Sequence, residues 1–458
     1  MAANPRQARY PRAVKRNAKA TAMSGAEDSR KWFWLVYLAA TAVICGLRYH
    51  QYTELSSTIW VPMARAAAAG IYLNFALLLL PMLRLSLSWQ RLGWLRRVMP
   101  LNKAVQAHVI AGNAVVLFSA LHVGAYIGMF VTKHLRMEQL EVWATPFTGL
   151  LLTLCLTTLA IAAWARARWP FEVFFYTHFL AGPIFALAVM HAHLFFGLML
   201  VPGILYGIDR VLRLLWATQS AQVEEVTVQG RDVALAVHRP VQFRYHAGDY
   251  AFLCIPSISS TQWHPFSLIN APDAAGSLQF RIRRCGSWTH ALATLAPGAT
   301  VYIDGPFASP CRDLHDCRRA IIIAAGIGIT PFASFLADVR ANCLPNEHGP
   351  QEPPPFERLH LIWLERDQAS QEGFYPLIAE LHHALGGALT AQLVVDKAPE
   401  GPCKPLVSVG RLDWTTELNK LQAQMPGATV FFCGPKPLSD IVKAGCRAAG
   451  LAFVTESF

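Results

Sequence analysis

The hydrophobic pattern divides the chain in two. Up to about residue 217 apolar residues run in long blocks, and beyond it they come in short stretches separated by charges, Gly and Pro. A helix that crosses a bilayer needs about 20 mostly apolar residues. Six stretches meet that requirement, at 32–48, 61–83, 104–131, 146–165, 173–196 and 198–216, the last two with almost no loop between them. Past residue 220, "EEVTVQGRDVALAVHRP" alternates as half-buried strands do. "AIIIAAGIGITPFASFLADV" reads as a buried strand, a glycine turn and a helix, and "LHLIWLERD", "AQLVVD" and "TVFFCGP" read as further buried strands between helical stretches. That order predicts a parallel α/β sheet. "LPNEHGPQEPPPFE" (344–357) is a Pro-rich surface loop. The pattern predicts a basic N-terminal arm (1–31), a six-helix membrane domain (32–217), a β-rich domain (218–315) and an α/β domain (316–458).

Composition agrees with a membrane protein: 53% of the 458 residues are apolar and 15% are charged, too greasy for an ordinary soluble enzyme. The net charge of +11 need not mean nucleic acid, because its placement reads as a topology signal. Arg84, Arg91, Arg96, Arg97 and Lys103 lie between spans two and three, Arg166 and Arg168 between spans four and five, and Arg210 and Arg213 near the end of span six. The intervening loops hold only Arg48, Lys133 and Arg136. The positive-inside rule then places both termini in the cytoplasm, with the bundle in the plasma or inner membrane. The start, "RQARYPRAVKRNAKA", is basic, a positive-inside arm or a contact for anionic lipid. Ten scattered Cys without a CxxC pair imply neither zinc nor a disulfide framework.

The fifth span, "FEVFFYTHFLAGPIFALAVMHAHLFFGLML", holds three ionisable rings, His178, His191 and His193. Polar groups at membrane depth are costly and usually mark a functional site. The third span holds His108 and His122, 14 residues apart, and His178 and His191 are 13 apart. At about 1.5 Å per residue each pair is split by roughly 20 Å along its helix. Two helices so equipped could clamp two haems, since a neutral imidazole is a common axial ligand. Fourteen residues bring the second ring back to within about 40° of the first, whereas thirteen leave it roughly 140° away. A straight helix therefore favours His193, while Pro183 permits an irregularity that admits His191. With both termini cytoplasmic, His108 pairs with His178 on the inner side and His122 with His191 on the outer.

The second half carries short motifs, each weak alone. "HPFSL" (264–268) reads as a flavin-binding barrel loop or as an X-Pro turn. "RIRRCGSWT" (281–289) offers Arg283 and a turn from Gly286 to Thr289, donors suited to a pyrophosphate or simply an exposed basic strand. "AAGIGITPF" sets Gly326, Gly328 and Pro331 between a strand and a helix, where backbone N–H groups can cradle phosphate. "WLERD" puts Arg366 after a strand, within reach of a ribose 2′-phosphate or free in solvent, and "FFCGPKP" puts Cys433, Gly434 and Pro435 at another strand end.

In order, "MARAAAAGIYLNF", "FEVFFYTH", "HPFSLINAP", "AAGIGITPFASF", "WLERD" and "FFCGP" resemble the NADPH oxidase family, within the wider ferric reductase group, from about residue 60 to the last residue. The resemblance implies a membrane bundle joined to a ferredoxin-NADP reductase-like module, an antiparallel FAD barrel with an α/β nucleotide domain. It selects His108, His122, His178 and His191 as ligands of two haem b groups. It implies His264, Pro265, Phe266 and Ser267 at the flavin, with Arg283 and Gly286, Ser287, Trp288 and Thr289 near its phosphates. Gly326, Gly328, Thr330, Pro331, Arg366 and Cys433 to Pro435 would bind NADPH or NADH, with Arg366 leaning to NADPH. Phe458 would stack on the isoalloxazine. Arg65 would lie beside the outer haem, where dioxygen is reduced and a positive charge stabilises superoxide. Where the family often has a His four residues after the outer ligand of span three, this chain has Tyr126, which does not titrate like imidazole. The implied function is a membrane oxidase that produces superoxide on the non-cytosolic face. Reduction of ferric or cupric chelates by the same relay is the alternative, and a non-catalytic haem anchor is disfavoured by the intact nucleotide motifs. No EF-hand loop is present, so calcium control through an internal domain is not expected, and no regulatory partner can be named.

Overall fold

A computed structural model of the chain describes residues 16–56, 58–83, 104–133, 144–212, 218–274, 276–345, 352–366, 368, 371–398 and 401–456. Its contacts divide at residue 212, with one compact unit over Asn17–Leu212 and another from Arg213 onward. The N-terminal unit is helical: α1 (Arg16–Thr53), α2 (Trp60–Leu79), α3 (Ala104–Lys133), α4 (Ala144–Ala165), α5 (Phe171–Thr177), α6 (Ala181–His191) and α7 (His193–Leu212). Among the described residues five stretches are long and apolar enough to cross a membrane: Trp60–Met82, Val105–Thr132, Pro146–Ala165, Phe171–His191 and Leu194–Leu212. The first expected span, 32–48, lies within α1. The fifth ends sooner than the apolar pattern predicts, because Ala192 is extended (φ −144°, ψ 107°) and ends α6 at His191. His193 consequently opens the next helix.

Much of what packs inside this unit is small, although Phe195 and Met199 of α7 are buried too. Ala64, Ala67, Ala69 and Gly70 of α2, Ala111 and Ala125 of α3, and Ala160 and Ala162 of α4 are buried, while Leu35, Leu117, Leu154, Phe179 and Val201 are exposed. Small residues let helix backbones approach where lipid offers no hydrophobic drive to association. Gly70 shows the need for them: a Cβ there would stand 2.7 Å from the Phe118 ring. Several Thr hydroxyls are satisfied within their own helices, as suits a bilayer. Thr41 donates to the Tyr37 carbonyl at 2.8 Å, Thr153 to Gly149 at 2.8 Å and Thr177 to Val173 at 2.7 Å. Tyr37 of α1 donates to the buried Asn74 of α2 at 2.5 Å.

The second unit holds two six-stranded sheets. The first comprises β1 (Thr218–Gln229), β2 (Asp232–His238), β3 (Tyr250–Cys254), β4 (His264–Ser267), β5 (Ser277–Arg283) and β6 (Thr300–Phe307). Their order is β4-β3-β6-β1-β2-β5, paired antiparallel throughout. The end strands β4 and β5 also touch, so the sheet curls into a barrel around Val233, Leu235, Leu253, Phe280 and Ile303. A short helix, α8 (Ser287–Ala291), follows β5.

The second sheet alternates with helices, as the pattern predicts: β7 (Arg319–Ala325), α9 (Thr330–Cys343), β8 (Arg358–Glu365), α10 (Tyr375–Leu385), β9 (Leu389–Val395), β10 (Val407–Val409), α11 (Trp414–Gln424), β11 (Thr429–Cys433), α12 (Lys436–Ala449) and β12 (Ala452–Glu456). All pairs are parallel, in the order β10-β9-β8-β7-β11-β12. "AIIIAA" is buried on both faces, which is why it is an unbroken apolar run rather than an alternating one. Ile322 and Phe332 belong to the core on one side, Ile321, Ile323 and Leu418 to the core on the other.

Candidate functional site

The bundle pairs its histidines across two spans. The His108 and His178 ring centroids are 6.0 Å apart, and those of His122 and His191 are 6.4 Å apart. Two imidazoles on one iron, each bonded at about 2 Å as metal–imidazole bonds are, would hold their centroids roughly 6 Å apart. Both pairs fit that requirement. A metal-ligating His normally donates its other ring N–H to an acceptor, which fixes the tautomer and leaves Nε2 its lone pair. Nδ1 of His108 lies 3.1 Å from the Leu78 carbonyl, Nδ1 of His122 2.9 Å from the Ala64 carbonyl, and Nδ1 of His191 3.1 Å from the Thr148 hydroxyl. Nδ1 of His178 is buried without a hydrogen-bond partner.

The angular difficulty at the 13-residue spacing is met by a local tightening. His178–Leu180 form a 3₁₀ turn, with the Ala181 N–H bonded to the His178 carbonyl. Pro183 supplies the cause, having no N–H to give and a ring that crowds the carbonyl of Phe179 four residues back. Three residues at about 120° rather than 100° add roughly 60° of rotation and bring the two rings nearer one face. Arg65 is exposed on α2, next to the Ala64 that anchors His122, with its guanidinium 5.2 Å from the centre of the Tyr52 ring. Tyr126 packs edge-on against His122 at 5.0 Å.

In the barrel, β4 and α8 bring three rings together. His264 lies 4.3 Å from Trp288, and Phe266 stacks on Trp288 at 5.8 Å and 20°. The Trp288 indole N–H is buried with no acceptor, the kind of orphan a planar heteroaromatic ligand would satisfy. Ser267 is buried at the end of β4, two residues after Pro265. The Gly286–Thr289 turn is folded on itself: Thr289 Oγ1 accepts from the Cys285 and Gly286 N–H groups at 2.8 and 2.9 Å. Ser287 begins α8.

At the carboxyl ends of β7 and β11, two glycine loops press together. Gly326 takes φ +60°, which only glycine adopts at little cost, and its carbonyl accepts from the Trp363 indole at 3.0 Å. A Cβ on Gly328 would collide with the Cys433 carbonyl, and one on Gly434 would stand 2.8 Å from the Ala325 side chain. Thr330 and Pro331 open α9, and Thr330 donates to the Ile327 carbonyl at 3.0 Å. Pro435 caps α12. A floor this bare of side chains suits a phosphate that must touch backbone N–H groups. Arg366 stands exposed just beyond β8.

Arg283 is engaged by carboxylates from both sheets. It bonds Asp232 at 2.8 Å, its register partner on β2, and Glu365 at 2.9 Å, the last residue of β8. Burial pulls its pKa down, but the two carboxylates more than offset this and raise it. Beside the glycine loops, burial and then Glu456 push the Cys433 thiol up to about 12, so it stays protonated and cannot act as a thiolate nucleophile. Burial likewise raises Glu456 to about 7, against hydrogen bonds from Ser309 and Cys311.

The structure thus brings together each histidine pair, the "HPFS" strand with Trp288, and the two glycine loops. Phe458, the arm over residues 1–15 and the arginines between 84 and 103 lie outside the described residues. Sequence reading missed Thr148, Asp232, Glu365 and Glu456. None of these carried a local signal: even Asp232 meets Arg283 only through the pairing of β2 with β5, 51 positions apart.

Comparison with known proteins bears on the whole arrangement. The ferric reductase like transmembrane component family matches residues 67–189, and the FAD-binding domain family matches residues 218–310. NADPH oxidase 5 of Homo sapiens is 28% identical over 92% of this chain and 68% of its own length. A superoxide-generating NADPH oxidase heavy chain of Dictyostelium discoideum is 28% identical over 83% of this chain and 85% of its own. A solved ferredoxin NADP+ reductase from Neisseria gonorrhoeae with bound FAD and NADP is 17% identical over 52% of this chain and 98% of that one, with a TM-score of 0.43. Bundle, barrel and relatives agree: the chain carries a ferric reductase like transmembrane component followed by an FAD-binding domain, and along most of its length it is similar to NADPH oxidases.

Proposed function

We propose that the protein is an integral membrane NADPH oxidase that passes electrons from cytosolic NADPH to dioxygen and releases superoxide on the opposite face. The balanced reaction is NADPH + 2 O₂ → NADP⁺ + H⁺ + 2 O₂⁻. When bound, FAD would accept the hydride and part with its electrons singly, and two haem b groups would carry them through the membrane. The paired rings carry this reading: 6.0 and 6.4 Å between imidazoles, one pair near each end of the same two spans.

The side chains hold and orient. His108 with His178, and His122 with His191, would take the two irons through Nε2, with Leu78, Ala64 and Thr148 fixing three of the rings. Two imidazoles would hold each iron, and the outer pair, His122 and His191, would mark where dioxygen is reduced. Arg65 would place its positive charge there and stabilise the nascent anion. His264, Phe266, Ser267 and the Trp288 indole would line the flavin, with Pro265 shaping the strand and Gly286–Thr289 near its phosphates, while Arg283, held by Asp232 and Glu365 over the Gly326 turn, would face the nicotinamide dinucleotide instead. Gly326, Gly328 and Gly434 would floor the dinucleotide site, Thr330 and Pro331 would set the helix behind it, and Pro435 would open the helix after the second loop. Arg366 would meet a 2′-phosphate, favouring NADPH over NADH. Cys433, kept a neutral thiol, would shape the nicotinamide pocket without donating electrons, and Phe458 would cover the flavin. Both termini would be cytoplasmic.

The test is purified protein supplied with FAD and haem. Wild type should reduce cytochrome c with NADPH in a reaction abolished by superoxide dismutase. His122→Ala should remove one haem's absorbance and lower superoxide output by at least about 100-fold. A His122→Ala protein that keeps both haems would refute the ligand assignment. Reduction of ferric or cupric chelates is a second reading, favoured by Tyr126 alone; cytochrome c reduction that superoxide dismutase does not affect would establish it.

A further inference from the structure

Glu365 stands where an anion is least expected. Its carboxylate is buried, and Oε1 lies 3.9 Å from the point a Cβ on Gly326 would occupy. That glycine begins the turn at which a diphosphate would meet backbone N–H groups. Arg283 is nearer still, with Nη1 2.9 Å from the same point. The arginine therefore hangs over the turn from the barrel, anchored on one side by Asp232 at 2.8 Å and drawn on the other to Glu365 at 2.9 Å. Arg281 completes the group: its Nε lies 3.5 Å from Asp232 and its guanidinium rests 5.6 Å from the centre of the Phe374 ring. Two guanidiniums and two carboxylates balance, so the turn faces a cluster with no net charge. The cluster joins β2 and β5 of the barrel to β8 of the parallel sheet.

We propose that Glu365 is an affinity-setting residue for the dinucleotide: it holds Arg283 back from the diphosphate and cancels the positive charge the turn would otherwise present. The inference rests on the oxidase reading and refines it. An incoming diphosphate must compete with Glu365 for Arg283, while Asp232 keeps the arginine in place throughout. Removing the Glu365 charge leaves Arg283 paired with Asp232, so no buried charge is stranded, and the site gains one net positive charge beside the diphosphate. The diphosphate is common to NADPH and NADH, so Glu365 acts on both alike. Arg366, exposed at the strand end, would act on the 2′-phosphate alone.

Two fragments separate these sources. ADP-ribose has the diphosphate without a 2′-phosphate, and 2′-AMP has the 2′-phosphate without a diphosphate. Calorimetry on full-length, FAD-loaded protein should show Glu365→Gln binding ADP-ribose about five-fold more tightly, with 2′-AMP changed by less than about two-fold. The KM for NADPH and for NADH should fall together by a similar factor while kcat holds. Arg366→Ala should weaken 2′-AMP and spare ADP-ribose. ADP-ribose affinity that is unchanged or weaker in Glu365→Gln overturns the proposal. If Glu365→Gln does not fold, Glu365→Asp withdraws the same charge by one methylene; a smaller tightening of ADP-ribose supports the idea, and no tightening refutes it. If wild type neither binds these fragments nor oxidises either nucleotide, the oxidase reading fails, and the inference with it. Wild-type activity with an indifferent Glu365→Gln defeats the inference alone.

Discussion

The two units of this chain solve burial in opposite ways. In the helical unit much of the inside is alanine and glycine, with Phe195 and Met199 as large exceptions, and much of the outside is leucine, phenylalanine and valine: Ala67 and Ala125 are buried, Leu117 and Phe179 exposed. In the second unit the large residues are inside, with Phe332, Phe431 and Trp363 almost fully buried. The difference follows from the solvent. Water drives large apolar groups together at about 25 cal/mol per Å², whereas lipid offers no such gain and rewards close backbone packing instead. Polar atoms follow the same division. The helical unit turns Thr hydroxyls onto carbonyls one turn back and ring N–H groups onto carbonyls of the neighbouring helix, while the second unit pairs charges, as at Arg283 and Asp232.

Four experiments would break or sharpen that contrast. The largest effect on function is expected at Thr148, whose hydroxyl meets Nδ1 of His191. Thr148→Val keeps the shape and removes the acceptor, and should lower haem affinity or electron transfer about 10- to 100-fold, as loss of such partners does. On the proposed oxidase reading, haem titration and a redox titration of the centre held by His122 and His191 would read it. Next is Phe332→Ala, which should destabilise the second unit by about 3–5 kcal/mol through the cavity it leaves; thermal melting of the full-length protein measures this. Third is a pH effect at Glu456. Its pKa rises on folding, so the folded state holds a proton that the unfolded state releases. The stability it gives is full below the unfolded pKa near 4.5 and is lost as pH climbs through about 7. Over that window the loss should approach about 3 kcal/mol. Glu456→Gln should flatten the dependence of melting temperature on pH. The smallest change belongs to Leu117→Ala, an exposed position on α3, which should move stability by no more than about 0.5 kcal/mol in a bilayer. A large loss there would mean that the helical unit is held together by its big side chains after all.

The same contrast governs what could be read from the residues alone. Spans and parallel strands were plain because both are unbroken apolar runs, told apart by length and by the Gly turn at "AAGIGITPF". The histidine spacing was legible because it lies within single helices. Its anchors were not, since Leu78, Ala64 and Thr148 reach the rings from other helices. Hydropathy carried the fifth span through residue 196, but it does not register a backbone that turns extended at Ala192. Arg283 looked open to a phosphate because a sequence displays a charge without the carboxylates opposite it. Glu365 sits 82 positions later and looked like one more residue beside Arg366.

The 3₁₀ turn at His178–Leu180 carries a constraint on inheritance. The stretch from His178 to His191 behaves like a gear train cut for thirteen teeth. One residue inserted or deleted there would swing the far ring by roughly 100°. Any lineage that changed that count would have to invent a different irregularity to restore alignment. The corresponding stretch of α3, regular over fourteen residues, asks for no such compensation.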